Sequence, residues 1–386
     1  MRSGLPVTLA AVAALLVPAA DADWASFHGD ALNTGAAASE HHPYVDFWWS
    51  EKGGSNKQVL ASPVIKDGRL IVADRGGLVR ALDVQSGFEF WRYKMPASVE
   101  GTPAVSADHV YVADVKGNLK SLNLFDGRVE FEVAAGPTAG NIAEHEGKVF
   151  LGTEAGEMKA YLADLTLLWT FKAGDYFEGE KTSCTGSGTS LKCETVCVDD
   201  ANLEQPFANQ PIRGKPAVYA GYVYFGSLNN AVFAVQEGGR GNGKTTAKWF
   251  YKTGDVVIGA PGVVHVNNAD HVVVGSYDGK VYLFPANNGG SDGVSECGDS
   301  GDFRIFKADY EHKFDVPSIV TGGSEQQVSR VYSSPANDGQ RVYVGAMNGF
   351  LYALKADTME KVWEKRIGSE ITPVKSSPAV TNGIVI

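Results

Sequence analysis

Cysteine is scarce in this chain, with four among 386 residues, all between positions 184 and 297. No two are adjacent, and there is no Cys-x-x-Cys and no Cys-x-x-Cys-His. That excludes a thioredoxin-type redox centre and a covalently attached c-type haem. The eight histidines are scattered, only His41-His42 being neighbours, and no His/Cys/Asp/Glu grouping has zinc-site spacing. No Asn-x-Ser/Thr glycosylation acceptor is present. Basic charge is also short: 34 Lys and Arg against 45 Asp and Glu leave a net charge of -11, with no basic stripe. Such a surface argues against nucleic acid and against adhesion to anionic lipid. Beyond the first twenty residues no apolar stretch is long enough to cross a bilayer.

Those first residues read as a secretory signal. Met1-Arg2-Ser3-Gly4 gives a positive start, Leu5 to Ala20 an apolar stretch, and Ala20-Asp21-Ala22 a small-residue cleavage site. The stretch is broken by Pro18, too short for a membrane anchor, and no cysteine follows it for lipid attachment. A signal peptide over 1–22 and a mature domain over 23–386 are therefore expected, placing the protein outside the cytoplasm, periplasmic or secreted. Removing the leader leaves the net charge unchanged, since Arg2 and Asp21 cancel. In that compartment Cys184, Cys193, Cys197 and Cys297 are expected to form two disulfides. Three fall in one insertion and Cys297 in another, so one bridge joining the two insertions is favoured; the pairing itself stays open.

What the chain has in plenty is glycine, 45 residues, set in a recurring pattern. Ser62-Pro63-Val64 is followed by Leu70-Ile71-Val72-Ala73 and Gly77-Leu78-Val79-Arg80-Ala81-Leu82. Thr102-Pro103-Ala104-Val105, Val110-Tyr111-Val112-Ala113 and Gly117-Asn118-Leu119-Lys120-Ser121-Leu122 repeat it 40 residues later. Further copies start at Val149, Lys215-Pro216, Ala260-Pro261 and Ser334-Pro335, and a last at Ser377-Pro378. A period near forty with several short β-branched runs predicts an all-β propeller of four-stranded blades. The Gly between the second and third runs is expected at positive φ in a tight hairpin: Gly77, Gly117, Gly156, Gly279 and Gly349, with Asn230 in the fourth copy. Each copy closes on an aromatic: Trp91, Phe131, Trp169, Trp249, Phe306 and Trp363.

Ala81-x-Asp83-x-x-Ser86-Gly87-x-x-x-Trp91 resembles the tryptophan-docking motif of the pyrroloquinoline-quinone-type (PQQ-like) propeller family. Ala353 to Trp363 keeps the ten-residue offset, and Ser121 to Phe131 keeps it with Phe. The resemblance runs over roughly residues 24 to 386. It implies that Trp91, Phe131, Trp169, Trp249 and Trp363 wedge between blades as packing groups rather than stacking on a ligand.

Two insertions interrupt the period, at about 174–212 and 285–330. The last copy stops at Ile384-Val385-Ile386, inside a second strand, while Val45 to Ser50 with Trp48 and Trp49 resembles a fourth strand. Circular closure of a C-terminally incomplete propeller is the expectation, with seven blades, or eight if a longer segment is missing.

Three further motifs bear on function. Gly238-Gly239-Arg240-Gly241-Asn242-Gly243-Lys244-Thr245 matches the phosphate-loop spacing, but it joins two strands where a strand and a helix are needed. Asp292, Glu296, Asp299 and Asp302 could offer oxygens to calcium, yet fit no EF-hand loop and read as a solvated loop. Asp74 and Asp114 follow the second strand in two copies and either cap turns or face a shared surface.

The family resemblance implies two functional classes. One is a non-catalytic binding or scaffold propeller with a protein or peptide partner on one face, as in the family's outer-membrane assembly branch, whose lipid-bearing cysteine is missing here. The alternative is an atypical PQQ-dependent oxidoreductase using PQQ with calcium on the axis. The paired cysteines of the quinoprotein dehydrogenases are absent, and no catalytic, cofactor or metal residue is assigned.

Overall fold

The computed structural model describes residue 24, residues 26–37, 57–172, 209–286 apart from 242 and 246, 310–320, 329–367, 373–381 and 384–386. Strand segments within 176–196 and 296–307 and at 326–327 are described for their backbone. Expectations for the signal peptide, for Val45 to Ser50 and for the acidic loop at 287–295 lie outside the described residues.

Within the described residues the chain is a ring of β-sheets without helices. Blade one contains Val64–Lys66, Arg69–Ala73, Leu78–Asp83 and Glu89–Lys94, paired antiparallel in chain order. Blades two (104–134), three (143–172) and six (336–366) repeat that four-stranded meander. Blade four (217–252) gains a fifth strand, and blade five is built from 262–285 with 312–315. A seventh sheet joins Ala36–Ala37, Val380–Thr381 and Ile384–Val385.

The middle strands of the blades are largely buried with little alternation because both faces are covered, Arg80, Lys120 and Lys159 being polar exceptions. Leu70 to Ala73 and Val79 to Leu82 are buried throughout, on one side or the other of the sheet. Clusters therefore straddle neighbouring blades: Ile71, Val79 and Trp91 pack with Val105, Val110 and Leu122 of blade two. The hairpin glycines sit at positive φ as expected; at Gly77 (φ 81) an added Cβ would lie 2.3 Å from the Ala97 carbonyl oxygen. Asn230 takes the same conformation at φ 64.

The third strand of five blades carries a register shift beside a small residue that faces the closing aromatic. The pairs are Ala81 with Trp91, Ser121 with Phe131, Ala160 with Trp169, Ala234 with Trp249 and Ala353 with Trp363. A bulge turns the bulky ring out of its own sheet, and the small partner leaves it room. Blade five lacks the device: Leu283 faces His312 with no shift.

Phe306 needs correcting here. It does not close blade five but runs parallel to Trp249 as a fifth strand on the rim of blade four. The closing strand of blade five is His312–Asp315, inside the stretch read as an insertion. Its alternation is short and polar, so sequence period alone passed over it. The inner edge of the seventh sheet is formed by Ala36–Ala37, which pairs parallel with Val380–Thr381.

Candidate functional site at the propeller axis

Each blade enters its first strand through an equivalent residue near the axis: Ser62, Thr102, Asn141, Lys215, Ala260, Ser334 and Ser377. These residues link blade to blade. The N–H of Ser62 donates to Thr102 Oγ1 (3.0 Å), and that of Thr102 to Asn141 Oδ1 (2.7 Å). The N–H of Ala260 donates to Ser334 Oγ (2.8 Å), and that of Ser334 to Ser377 Oγ (2.9 Å). The preceding residue is crowded: a Cβ at Gly101 would lie 2.0 Å from the Gly140 carbonyl oxygen, which only glycine tolerates.

Lys215 departs from the short side chains of this ring. It is fully buried, and its Nζ donates to Ser26 Oγ (2.7 Å), the Phe27 carbonyl (3.1 Å) and the Asp30 carbonyl. All three acceptors belong to the segment 26–37, which lies along the axis. The carbonyls of Ala31, Leu32, Thr34 and Gly35 accept from the N–H groups of Val218, Val263, Asn337 and Val380 on four successive blades. Asn33 Nδ2 donates to the Lys215 carbonyl (3.1 Å) and the Pro261 carbonyl (2.8 Å). Trp24 exchanges two backbone hydrogen bonds with Ile65 of blade one, each 2.8 Å. The segment thus satisfies, as a bound strand would, the inner-edge donors that a propeller axis otherwise leaves to water.

Two bases are shut in by this arrangement. Burial pushes the Lys215 ammonium down to a pKa of about 7, against the smaller opposing pull of Asp30 and Glu144. Burial likewise lowers the His28 imidazole to about 4, outweighing the Asn33 carbonyl. His28 stacks on Phe27 with ring centroids 4.5 Å apart.

Above the segment lies a funnel of about 820 Å³, floored by Trp24, Phe27 and His28 and walled by the axial ring. Its rim charges are mostly paired: Arg75 with Glu100 at 2.8 Å, and Arg213 with Glu154 through two contacts of 3.0 and 2.8 Å. Lys375 also lines it.

The residues singled out from sequence fall elsewhere. Asp74 and Asp114 do not face a shared surface; they cap their turns. Asp74 Oδ1 accepts from the Gly76 and Leu78 N–H groups, and Asp114 Oδ1 from those of Lys116 and Asn118. The glycine-rich stretch at 238–245 is a hairpin loop in which the Arg240 N–H meets the Lys244 carbonyl, with no helix after it.

Of the docking aromatics, Trp91, Trp169 and Trp249 are buried against the next blade. Their Nε1–H groups donate to the carbonyls of Leu124 (2.8 Å), Glu237 (2.7 Å) and Ala286 (3.3 Å). Phe131 and Trp363 depart from the expected wedge, at 40% and 36% exposed. Phe131 has no N–H for the neighbouring carbonyl and leans on His109 of its own blade. Trp363 packs on Tyr343 of its own blade, and no third strand of a following blade stands beside it among the described residues.

Cys184 and Cys193 are register partners in a two-stranded sheet. Cys297 lies on a strand of a small sheet that joins the two insertions through Tyr176–Phe177.

One cluster was missed in the sequence: the ligand atoms of His145, Glu146 and Glu237 lie within 4.8 Å of one another. Lys148 Nζ already sits 2.9 Å from Glu237 Oε1, so the group ties blade three to blade four as an ion pair. Glu237 lies 92 residues from His145, and only the adjacency of blades brings it to the other two.

Residues 31–291 match the family model described as outer membrane protein assembly factor BamB. The chain belongs to this family. Among curated relatives it is 28% identical over 167 residues to BamB of Moranella endobia, covering 40% of this chain and 42% of that one. It is 34% identical over 97 residues to BamB of Escherichia coli K12, covering 22% and 25%. The match thus spans less than half the length of these relatives.

Among solved structures, BamB from Moraxella catarrhalis superposes with a TM-score of 0.59 at 15% identity, covering 89% of this chain and 83% of that one. Quinohemoprotein alcohol dehydrogenase from Comamonas testosteroni superposes at 0.53 and 15% identity, covering 94% and 76%. At those identities the likeness is one of fold.

The residues present do not fit an axial quinone. In this family member segment 26–37 fills the axis, Glu100 and Glu154 are held by arginines, and the Asp30 carboxylate is taken by the Thr34 N–H (3.0 Å).

Proposed function

We propose that this propeller is a non-catalytic scaffold outside the cytoplasm that holds a protein or peptide partner in its axial funnel. The observation that carries the reading is the axis itself, occupied by the chain's own residues beneath a funnel whose lining acids, Glu100 and Glu154, are engaged in ion pairs. The family match supports the finer reading, a contribution to assembling outer-membrane proteins. A funnel of this size with a half-polar wall suits an extended segment better than a buried small molecule. Among the described residues no helix is long and apolar enough to cross a membrane.

The test is direct. An unfolded outer-membrane β-barrel polypeptide, diluted from urea, should bind the protein in fluorescence anisotropy, and Arg213→Glu with Lys375→Glu should weaken that binding at least tenfold. Stoichiometric uptake of PQQ with calcium, followed by alcohol-dependent dye reduction, would instead establish the oxidoreductase.

A further inference from the structure

We propose that His28 is an acid-operated release for the axial segment: protonating its imidazole expels residues 26–37 and opens the propeller axis beneath the funnel. Nδ1 of His28 lies 3.4 Å from the Asn33 carbonyl, so the neutral ring with its proton on Nδ1 makes that one hydrogen bond. Nε2 is buried without a hydrogen-bond partner. A second proton would place a charge on a fully buried ring, with only the Pro335 carbonyl near enough to meet it.

The surroundings make that charge costly. Lys215 reaches in from blade four and bonds to the same segment two residues either side of His28, at Ser26 and Asp30. Asp30 is the acid on the segment, but its carboxylate accepts from the Thr34 N–H and Oγ1. From blade three Glu144 acts on Lys215, and from blade six the Pro335 carbonyl faces His28; burial outweighs both carbonyls. Among the described residues no ion pair joins the segment to the blades. The anchoring is a set of backbone hydrogen bonds and the three Lys215 contacts.

Linkage gives the sign. Held in place, His28 titrates near 4; released, it returns to its ordinary 6.5, so the released state binds the proton more tightly. Lowering pH from 6.5 to 4 therefore favours release by roughly 80-fold. Lys215, near 7 in place and 10.5 when exposed, biases the segment in the same direction above neutrality. The opening is local because the blades carry their own cores.

Hydrogen exchange of the Thr34 and Gly35 amides in the full chain, corrected for intrinsic rates, tests this. Both amides are bonded within the segment, to Asp30 Oδ1 and to the His28 carbonyl. Their protection should fall about 40-fold between pH 6.5 and 4.5 while Val112 and Phe233 stay protected, and His28→Gln should flatten the profile. An unchanged profile, a fall shared by every blade, or the same fall in His28→Gln overturns the proposal. Should the variant misfold, an NMR titration of His28 in the unaltered protein decides: a midpoint above about 6 overturns it, and one near 4 supports it.

Discussion

Trp91 of blade one lies flat over Gly127 of blade two. A Cβ added to Gly127 would come within 2.7 Å of the indole carbons, and the indole N–H donates to the Leu124 carbonyl three residues earlier. Trp169 meets Gly239 in the same way, at 2.5 Å, with its N–H on Glu237. A glycine on one blade and an indole on its neighbour therefore form one joint, and either half alone is a misfit.

Truncating the joint should be expensive only where it is closed. Trp91→Ala is expected to cost about 3–5 kcal/mol, the range for a buried large aromatic, and Gly127→Ala to weaken the fold by pushing the ring away. Trp363→Ala should cost less than Trp91→Ala, because about a third of that residue is exposed. Urea unfolding of the three variants checks the ranking.

Lys215 should leave a signature in the pH dependence of stability. Its folded pKa of about 7 lies below the ordinary 10.5, so between those values the unfolded chain binds more protons and rising pH stabilises the native protein. Lys215→Met removes that term. The unaltered protein should gain on the variant from pH 7 to 9 by up to about 1.4 kcal/mol per unit, with a constant difference below pH 6. Parallel denaturation curves across pH 7 to 9 would contradict the assignment.

Asp114 is expected to matter for folding and not for binding. Its carboxylate gathers the N–H groups of Ala97, Lys116 and Asn118 and is itself fully buried. Asp114→Ala strands those donors and should cost on the order of 2–3 kcal/mol. Anisotropy titration of the folded variant with the polypeptide partner should give an unchanged Kd.

The cysteines are expected to be fully oxidised, as Cys184–Cys193 across their strand pair and Cys197–Cys297 between the insertions. Peptide mapping without reduction should recover those two linkages. Thiol labelling of the denatured protein should give no signal, and modification of two or more cysteines would contradict it.

Much of this architecture is legible in the sequence because a blade is a local object. Its strands, its hairpin glycine and its closing aromatic all fall within forty residues, so the pattern around Pro63 and Gly77 returns around Pro103 and Gly117. Blade five is hard to read for the same reason: an inserted stretch separates Pro285 from His312, and Phe306 is a nearer aromatic than anything on the true strand. The axial site was far less legible. Lys215 is visibly the one basic residue ahead of a repeat proline, which was the available signal. Nothing local tells that Ser26, His28 and Asp30 will meet it, since their contacts cross nearly two hundred residues of chain.

The pairing of Gly35 with Val380 also bears on how the molecule is made. These contacts raise the mean sequence separation of the fold, and folding rates fall steeply as that separation grows. Individual blades can form as they emerge, in the manner of stacked repeats. The axial segment meets its partners blade by blade, at Ile65, Val218, Val263, Asn337 and Val380. Its docking is complete only when all of those blades stand, and until then it is an extended strand only partly paired, open to chaperones and proteases alike.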